Sequence, residues 1–324
     1  MFKLLHGKFV VRNGLQPDGD TIRFKPDNVD FVEELRRGSR GRTTMNEGVN
    51  IRLEAVDALE KSQELKGATA ARDELLRRLG FTDVRYSGNP PFTIDSGDQE
   101  ISGHVLSNGF DNFGRLIGFV YEGDGSVHGS DGSVISLDGS LVDESVNTAL
   151  LSEGYVFPAF YDSLPENLRE HLAMKSTVAR IAKKGVWLRS KGFPEDPLIV
   201  ETPILANLRK AVLWPKLYRR LEKYLESGRR ENLDGFIRWL QEDPQSRDDG
   251  ILLIQSNLPE PIRLHNVVEV SGSSVELKYW PEKFIIQSKP TDLNGSRREI
   301  HASPIGRESL YYMNQFWEQF RCIP

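Results

Sequence analysis

From Lys3 to Val11 the chain reads KLLHGKFVV, which first alternates apolar and polar positions and then runs apolar, the pattern of a strand with one buried face. Pro17-Asp18-Gly19-Asp20 is a turn signal, and Thr21-Ile22-Arg23-Phe24 restarts a strand. Val49 to Val56 alternates again and predicts a half-buried strand. Ala70–Leu79 places Leu75, Leu76 and Leu79 on one face ahead of Gly80, which predicts a helix and its end. Ile101–Leu106 and Arg115–Tyr121 predict two strands joined by a turn from Asn108 to Gly114. Val146–Ser152 and Leu168–Ala182 predict helices, the second closed by Lys183-Lys184-Gly185.

Three insertions interrupt this pattern, at residues 27–48, 81–100 and 122–143. The first carries Arg36, Arg37, Arg40 and Arg42 around Gly38 and Gly41, an exposed loop or one that contacts nucleic acid. The third contains DGSV, DGSV and DGSL, starting at Asp124, Asp131 and Asp138. The nine-residue glycine-aspartate pattern of calcium-binding repeats is missing, so tight turns extending a hairpin are the better reading. Phe193–Pro197 reads FPEDP; each proline pushes its predecessor out of the helical region, which marks a domain boundary. Residues 198–324 then predict a helix over Leu208–Leu225, kinked or split at Pro215, and another over Leu233–Gln241. Strands follow at Gly250–Gln255, Pro261–Val270, Val275–Tyr279 and Phe284–Gln287, with a last helix at Leu310–Phe320. This is the order of a small α+β domain. Trp280, Tyr311, Tyr312 and Trp317 read as core aromatics in preference to a binding surface.

Composition changes the picture in three ways. A chain of 324 residues, 38% of them hydrophobic, is long enough for two domains and too apolar for global disorder. No apolar run approaches the roughly 20 residues of a membrane span, and the first residues lack a secretory apolar segment, so a cytoplasmic protein with no membrane partner is expected. The single cysteine, Cys322, excludes an internal disulfide framework and a cysteine zinc cluster. The six histidines are scattered, and His104 and His171 read as structural. A net charge of −5 argues against coating DNA through bulk charge, but not against an enzyme that handles one phosphate at a time.

Five short fragments carry the chemistry. They are Asp18-Gly19-Asp20-Thr21, Ile51 to Glu60 (IRLEAVDALE), Asp111-Asn112-Phe113-Gly114-Arg115, Val146 to Gly154 (VNTALLSEG) and Lys184-Gly185-Val186-Trp187. Each alone is commonplace. In this order, over residues 4–190, they resemble the staphylococcal nuclease (thermonuclease) family. The resemblance implies a five-stranded OB-fold barrel with packed helices, so the whole chain is expected to be mainly β with helices (α+β). Residues 1–197 would form the nuclease-like domain and 198–324 an accessory domain open to a protein partner or self-association.

Phosphodiester cleavage needs negative charge neutralised around phosphorus and a water aimed in line. A hard divalent cation on oxygen ligands does both, and Asp20 and Asp57 are candidate ligands. Arginine forks suit phosphate oxygens, a role open to Arg52 and Arg115. Glu60 can act as general base. The resemblance implies the same roles: Arg52, Glu60 and Arg115 catalytic, Asp20 and Asp57 on Ca2+, the Ala58 main-chain carbonyl as a further ligand, and Asp18 near the site. A hard-oxygen set of this kind also admits other divalent ions. The family pattern usually has Thr at position 58, Pro at 59, Lys at 112 and Tyr at 113; this chain has Ala58, Leu59, Asn112 and Phe113. Phe113, Phe160 and Tyr161 fall at or near its nucleotide-contacting aromatics. The activity implied is calcium-dependent cleavage of DNA and/or RNA leaving 3′-phosphate ends. The alternative is a catalytically silent nucleic-acid or protein-binding module of the same fold, which ought to lack several of these positions.

Overall fold

In the computed structural model, residues 1–36, 48–201, 204–228, 232–254 and 261–287 are described. The first part runs β1 (Phe2–Val11), β2 (Thr21–Pro26), α1 (Val29–Glu33), β3 (Val49–Leu53), β4 (Val56–Asp57), α2 (Leu65–Arg78), β5 (Arg85–Ser87) and β6 (Thr93–Ser96). It continues through β7 (Gln99–Phe110), β8 (Leu116–Glu122), β9 (Val134–Ile135), α3 (Gly139–Asp143), α4 (Val146–Ser152), β10 (Phe157–Pro158), β11 (Phe160–Tyr161) and α5 (Glu166–Ile181).

Five strands close a barrel in the order β1-β2-β3-β8-β7, with β7 returning to β1. Phe9 faces Phe24 across β1–β2, and the parallel pair β3–β8 sets Ile51 opposite Leu116 and Leu53 opposite Gly118. β1 coils tightly enough to pair with β2, β7 and β9, and its central pair with β7 is Gly7 opposite Gly103. A Cβ on Gly103 would lie 2.2 Å from the Phe9 ring, so glycine is needed for Phe9 to fill the barrel. The fold is therefore mixed α+β around a closed five-stranded barrel, in agreement with an OB-like barrel.

Several local expectations change. The segment read as one strand over 49–56 breaks at Glu54–Ala55. Ala55 has φ 69°, and the chain leaves the barrel there to form β4. Asn147 fixes this corner. Its Oδ1 accepts from the Val120 N–H at 3.0 Å, and its Nδ2 donates to the Glu54 and Gly118 carbonyls at 2.9 and 3.1 Å. Ser145 caps α4 and so orients Asn147, its Oγ accepting from the Thr148 N–H at 3.1 Å. The insertion at 27–48 contains helix α1, and that at 81–100 the hairpin β5–β6. The three DGS copies are not equivalent. Asp131 accepts from the His6 N–H at 2.9 Å beside β9, whereas Asp138 is the N-cap of α3.

The later part comprises β12 (Leu198–Ile199), α6 (Ile204–Leu208), α7 (Pro215–Glu226), α8 (Phe236–Glu242), β13 (Gly250–Leu253), β14 (Ile262–Arg263), α9 (Leu264–Val267), β15 (Val268–Ser271), β16 (Ser274–Leu277) and β17 (Phe284–Ile286). Pro215 does not kink a long helix; it opens α7, where its missing N–H costs nothing. The strand expected over 261–270 is interrupted by α9. The expected helix at 310–320, with Tyr311, Tyr312, Trp317 and Cys322, lies outside the described residues.

Residues 1–289 form one unit. One hydrophobic cluster fills the barrel and the space under α2, α4 and α5. A second runs across the 197/198 boundary and joins Leu59, Phe157 and Trp187 to Trp214, Leu217, Tyr218 and Phe284. β11 pairs in parallel with β17, Phe160 opposite Ile285, and β4 pairs with β10, Asp57 opposite Phe157. Trp280 packs on Phe193 with ring centroids 5.1 Å apart, a packing role. Among the described residues no helix is long and apolar enough to cross a membrane.

Candidate functional site

The turn before β2 delivers Asp20. Asp18 Oδ1 accepts from the Asp20 N–H at 3.3 Å, and the Asp20 carbonyl accepts from the Leu53 N–H at 2.8 Å, which ties this turn to the end of β3. A Cβ on Gly19 would lie 2.5 Å from Ala71 Cβ and 2.7 Å from Ala58 Cβ, so the turn presses against both α2 and the segment after β4. Small residues at 19 and 58 allow that contact. The β2–β3 register sets Thr21 opposite Arg52, and the β4–β10 pair holds the Asp57 backbone.

These constraints bring the charged groups together. Arg52 Nη1 lies 2.9 Å from Asp20 Oδ2, and its Nη2 lies 2.8 Å from Asp57 Oδ1. The Ala58 N–H donates to Asp20 Oδ2 at 2.7 Å. Arg115 is aimed by Asp111, whose Oδ1 accepts from the Phe113 and Arg115 N–H groups at 2.9 Å and whose Oδ2 accepts from Arg115 Nε at 2.8 Å. Arg115 Nη1 reaches Thr21 Oγ1 at 3.5 Å, and that hydroxyl donates to Asp20 Oδ1 at 3.2 Å. Asp20, Arg52, Asp57 and Arg115 thus belong to one network, which Glu60 joins through a further residue.

Its last member comes from the later part. Arg219 on α7 donates from Nη2 to Asp57 Oδ2 at 2.8 Å and from Nη1 to Asp57 Oδ1 at 3.3 Å, and Nη1 also binds Glu60 Oε1. Nothing in the sequence singles out Arg219. In LYRRLEKYLE its neighbour Arg220 looks equivalent, but Arg220 points the other way and binds Asp249 at 2.6 Å. Asp111, Thr21 and Gln63 are also part of the construction. Gln63 Nε2 donates to the Leu213 carbonyl at 2.7 Å, and its Oε1 accepts from the Glu60 N–H at 3.3 Å.

Burial and charge oppose each other here. Burial alone would lower the pKa of Arg52 and Arg219; the carboxylates of Asp20 and Asp57 for the first, and of Asp57 and Glu60 for the second, outweigh it and raise both. Asp57 is pushed up by burial but held below the usual carboxylate range by Arg219 and Arg52. Glu60 ends raised: burial is the largest cause, Arg219 offsets part of it, and the Asp57 charge adds to it. Asp18 is raised to about 7 by burial and by the charge of Asp20.

The substrate-facing residues divide. Phe113 is 69% exposed and lies between Arg115 and Arg247, whose guanidinium carbons are 5.7 and 5.6 Å from its ring centre. Tyr161 is half-buried with Lys216 Nζ 5.5 Å from its ring centre. Phe160 corrects an expectation: it is fully buried in the barrel core, because β11 turns its side chain inward, and it has no face to offer a base. Arg36 packs 4.5 Å from the Phe110 ring centre and pairs with Glu33, while Arg37, Arg40 and Arg42 lie outside the described residues. His104 stacks on Tyr121 and His171 binds Asp143 at 2.7 Å, both away from this network.

The carboxylate oxygens that the resemblance assigns to a cation are taken, and Ala58 meets Asp20 through its N–H. Both Asp57 oxygens bind guanidinium groups, Asp20 Oδ2 binds Arg52 and the Ala58 N–H, and Asp20 Oδ1 accepts from Thr21. Among the described residues no group of three or more His, Cys, Asp or Glu is arranged to hold a metal ion. With Arg219 in place, the set does not fit a divalent cation. No family model matches this chain, and no curated protein matches it.

Proposed function

We propose that this network hydrolyses phosphodiester bonds in DNA and/or RNA. The reading rests on one observation: residues 20, 52, 57, 60 and 115 converge through a continuous set of charge-assisted hydrogen bonds, closed by Thr21 and Arg219, that opens to solvent at Glu60 and Arg115. The Arg52 side chain is only 14% exposed and spends both terminal nitrogens on Asp20 and Asp57, so it organises the carboxylates. Arg219 likewise spends both terminal nitrogens on Asp57 and Glu60, so Arg115, with its side chain 31% exposed, is the fork a phosphate can reach. Glu60, raised by its partly dry surroundings, takes the proton of the water that attacks phosphorus. The phosphorus–O5′ bond breaks as the new P–O bond forms, leaving a 3′-phosphate and a 5′-oxygen that takes a proton from solvent to become the hydroxyl. Phe113 offers a base a stacking surface beside the scissile phosphate.

One observation favours the silent-module alternative: Glu60 is already ion-paired with Arg219, which opposes its use as a base. A cleavage panel decides between the two. Single- and double-stranded DNA and RNA are incubated with wild type and Glu60→Gln, and product ends are identified. The expected outcome is 3′-phosphate products from wild type and a loss of about 10²- to 10⁴-fold in the variant with binding retained. Equal cleavage by both proteins sinks the assignment, and binding without turnover establishes the silent module.

A further inference from the structure

We propose that Arg219 is the resident cation of this site, occupying with its guanidinium the charge position that a divalent ion would otherwise take. The inference deepens the phosphodiesterase reading and rests on it. Without Arg219, Asp20 and Asp57 would share one Arg52, and Glu60 beside them would lose its ion pair. Two buried carboxylates with a third, partly exposed one beside them leave an excess of negative charge that favours a further cation. Arg219 supplies it, with two nitrogens on Asp57 and a bond to Glu60. A calcium ion placed there would meet a guanidinium already in contact with the same oxygens, and like-charge repulsion would oppose it.

The contact is built in by the register of α7. Leu217, Tyr218 and Leu221 are fully buried on one side of the helix. Trp214, just ahead of it, is fully buried and donates to the Pro158 carbonyl at 3.2 Å, next to the β4–β10 pair that carries Asp57. Gln63 binds the Leu213 carbonyl and Tyr218 donates to Ser62 Oγ at 3.1 Å, so the segment that follows Glu60 is docked on the start of the same helix. Arg220 anchors the opposite side through Asp249 and the Arg247 carbonyl. Withdrawing the helix would break the second core. The carboxylates and the guanidinium that neutralises them are therefore one rigid arrangement, and turnover needs no added metal.

The test compares full-length wild type, Arg219→Ala and Arg219→Lys in calcium chloride and in chelator. Calcium binding is read by titration calorimetry and by Tm. Wild type and Arg219→Lys are expected to bind no calcium and keep the same Tm in both conditions. Arg219→Ala, with its carboxylates released, is expected to bind calcium and gain about 2 °C or more at saturation. Wild-type cleavage is expected to be equal in calcium and chelator, and cleavage by Arg219→Ala to require calcium. Calcium binding by wild type as strong as by the variant, wild-type cleavage that stops in chelator, or a folded Arg219→Ala that binds no calcium each overturn the proposal. If Arg219→Ala fails to fold by circular dichroism, Arg219→Gln, which keeps the bulk without the charge, takes its place under the same criteria. Wild type that cleaves nothing in any condition sinks the phosphodiesterase reading alone, since the calorimetric comparison still decides which cation the site holds.

Discussion

Replacing Asn147 tests whether the corner at Glu54–Ala55 is what delivers Asp57 to the site. Its side chain makes three buried hydrogen bonds. In Asn147→Ala the Gly118 carbonyl keeps another donor, the Glu54 N–H at 2.9 Å, whereas the Val120 N–H and the Glu54 carbonyl lose the partner that Asn147 provides. Two buried groups left unsatisfied cost about 2–4 kcal/mol, and the small cavity brings the loss to about 3–5 kcal/mol. For a chain of this size that lowers Tm by about 5–8 °C. Asn147→Asp is the sharper probe. It keeps the acceptor for Val120 but turns a carboxyl oxygen toward two carbonyl oxygens, which disfavours the charged form and raises its folded pKa above the unfolded value of about 4. A group raised on folding binds its proton more tightly in the native state. The deficit against wild type is therefore smallest below about pH 4 and grows as pH rises through the raised folded pKa. Urea unfolding of both variants and wild type between pH 4 and 8 measures this. A loss below about 1 kcal/mol in Asn147→Ala, or a pH-independent deficit in Asn147→Asp, refutes the hydrogen-bond account.

Glu54 is 3% exposed and has its carboxyl raised to about 7 by burial, against the Ala55 N–H and Arg52. Its charge opposes folding as pH rises from its unfolded pKa of about 4 through its folded one, so Glu54→Gln is expected to match wild type near pH 4 and to exceed it by roughly 3 kcal/mol at pH 8 in urea titrations. Equal stability at pH 8 contradicts the burial argument. Asp111→Ala removes the three bonds that aim Arg115 and is expected to reduce cleavage by about tenfold or more, chiefly through kcat, while near-ultraviolet circular dichroism stays unchanged. Phe113→Ala is expected to weaken single-stranded DNA binding by about 1–3 kcal/mol in fluorescence anisotropy, and an unchanged Kd would remove the exposed ring from the substrate path.

What could be read in the sequence was local. The spacing that sets Arg52, Asp57 and Glu60 along one short segment is fixed by its own backbone, as is the turn around Asp18 and Asp20. The barrel strands were legible because their alternation is strong, and α2 and α5 because their ends carry glycine or basic residues. Other features depend on tertiary contacts. Ala55 adopts positive φ without any residue signal, because Asn147, more than 90 positions later, holds the corner. The choice between Phe160 and Tyr161 as the more accessible ring is set by the β11–β17 pairing. Arg219 and Arg220 differ only in which way a helix is turned, and the packing of Leu217, Tyr218 and Leu221 decides it.

The β11–β17 pair also has a consequence for synthesis. Every strand of the barrel is contained in the first 122 residues, yet Phe160 is paired with Ile285 and Asp57 waits for Arg219. A chain that emerges from the ribosome from its first residue can close the barrel long before the helix bearing Arg219 exists. In that interval Asp57 has Arg52 but not Arg219, Glu60 lacks its ion pair, and Leu59, Phe157 and Trp187 lack the apolar partners that arrive with Trp214 and Phe284. The order of synthesis thus allows a stage with a finished barrel and an unfinished site. On the proposed reading, the metal-free form of the site is completed by the length of chain made, not by the folding of the barrel.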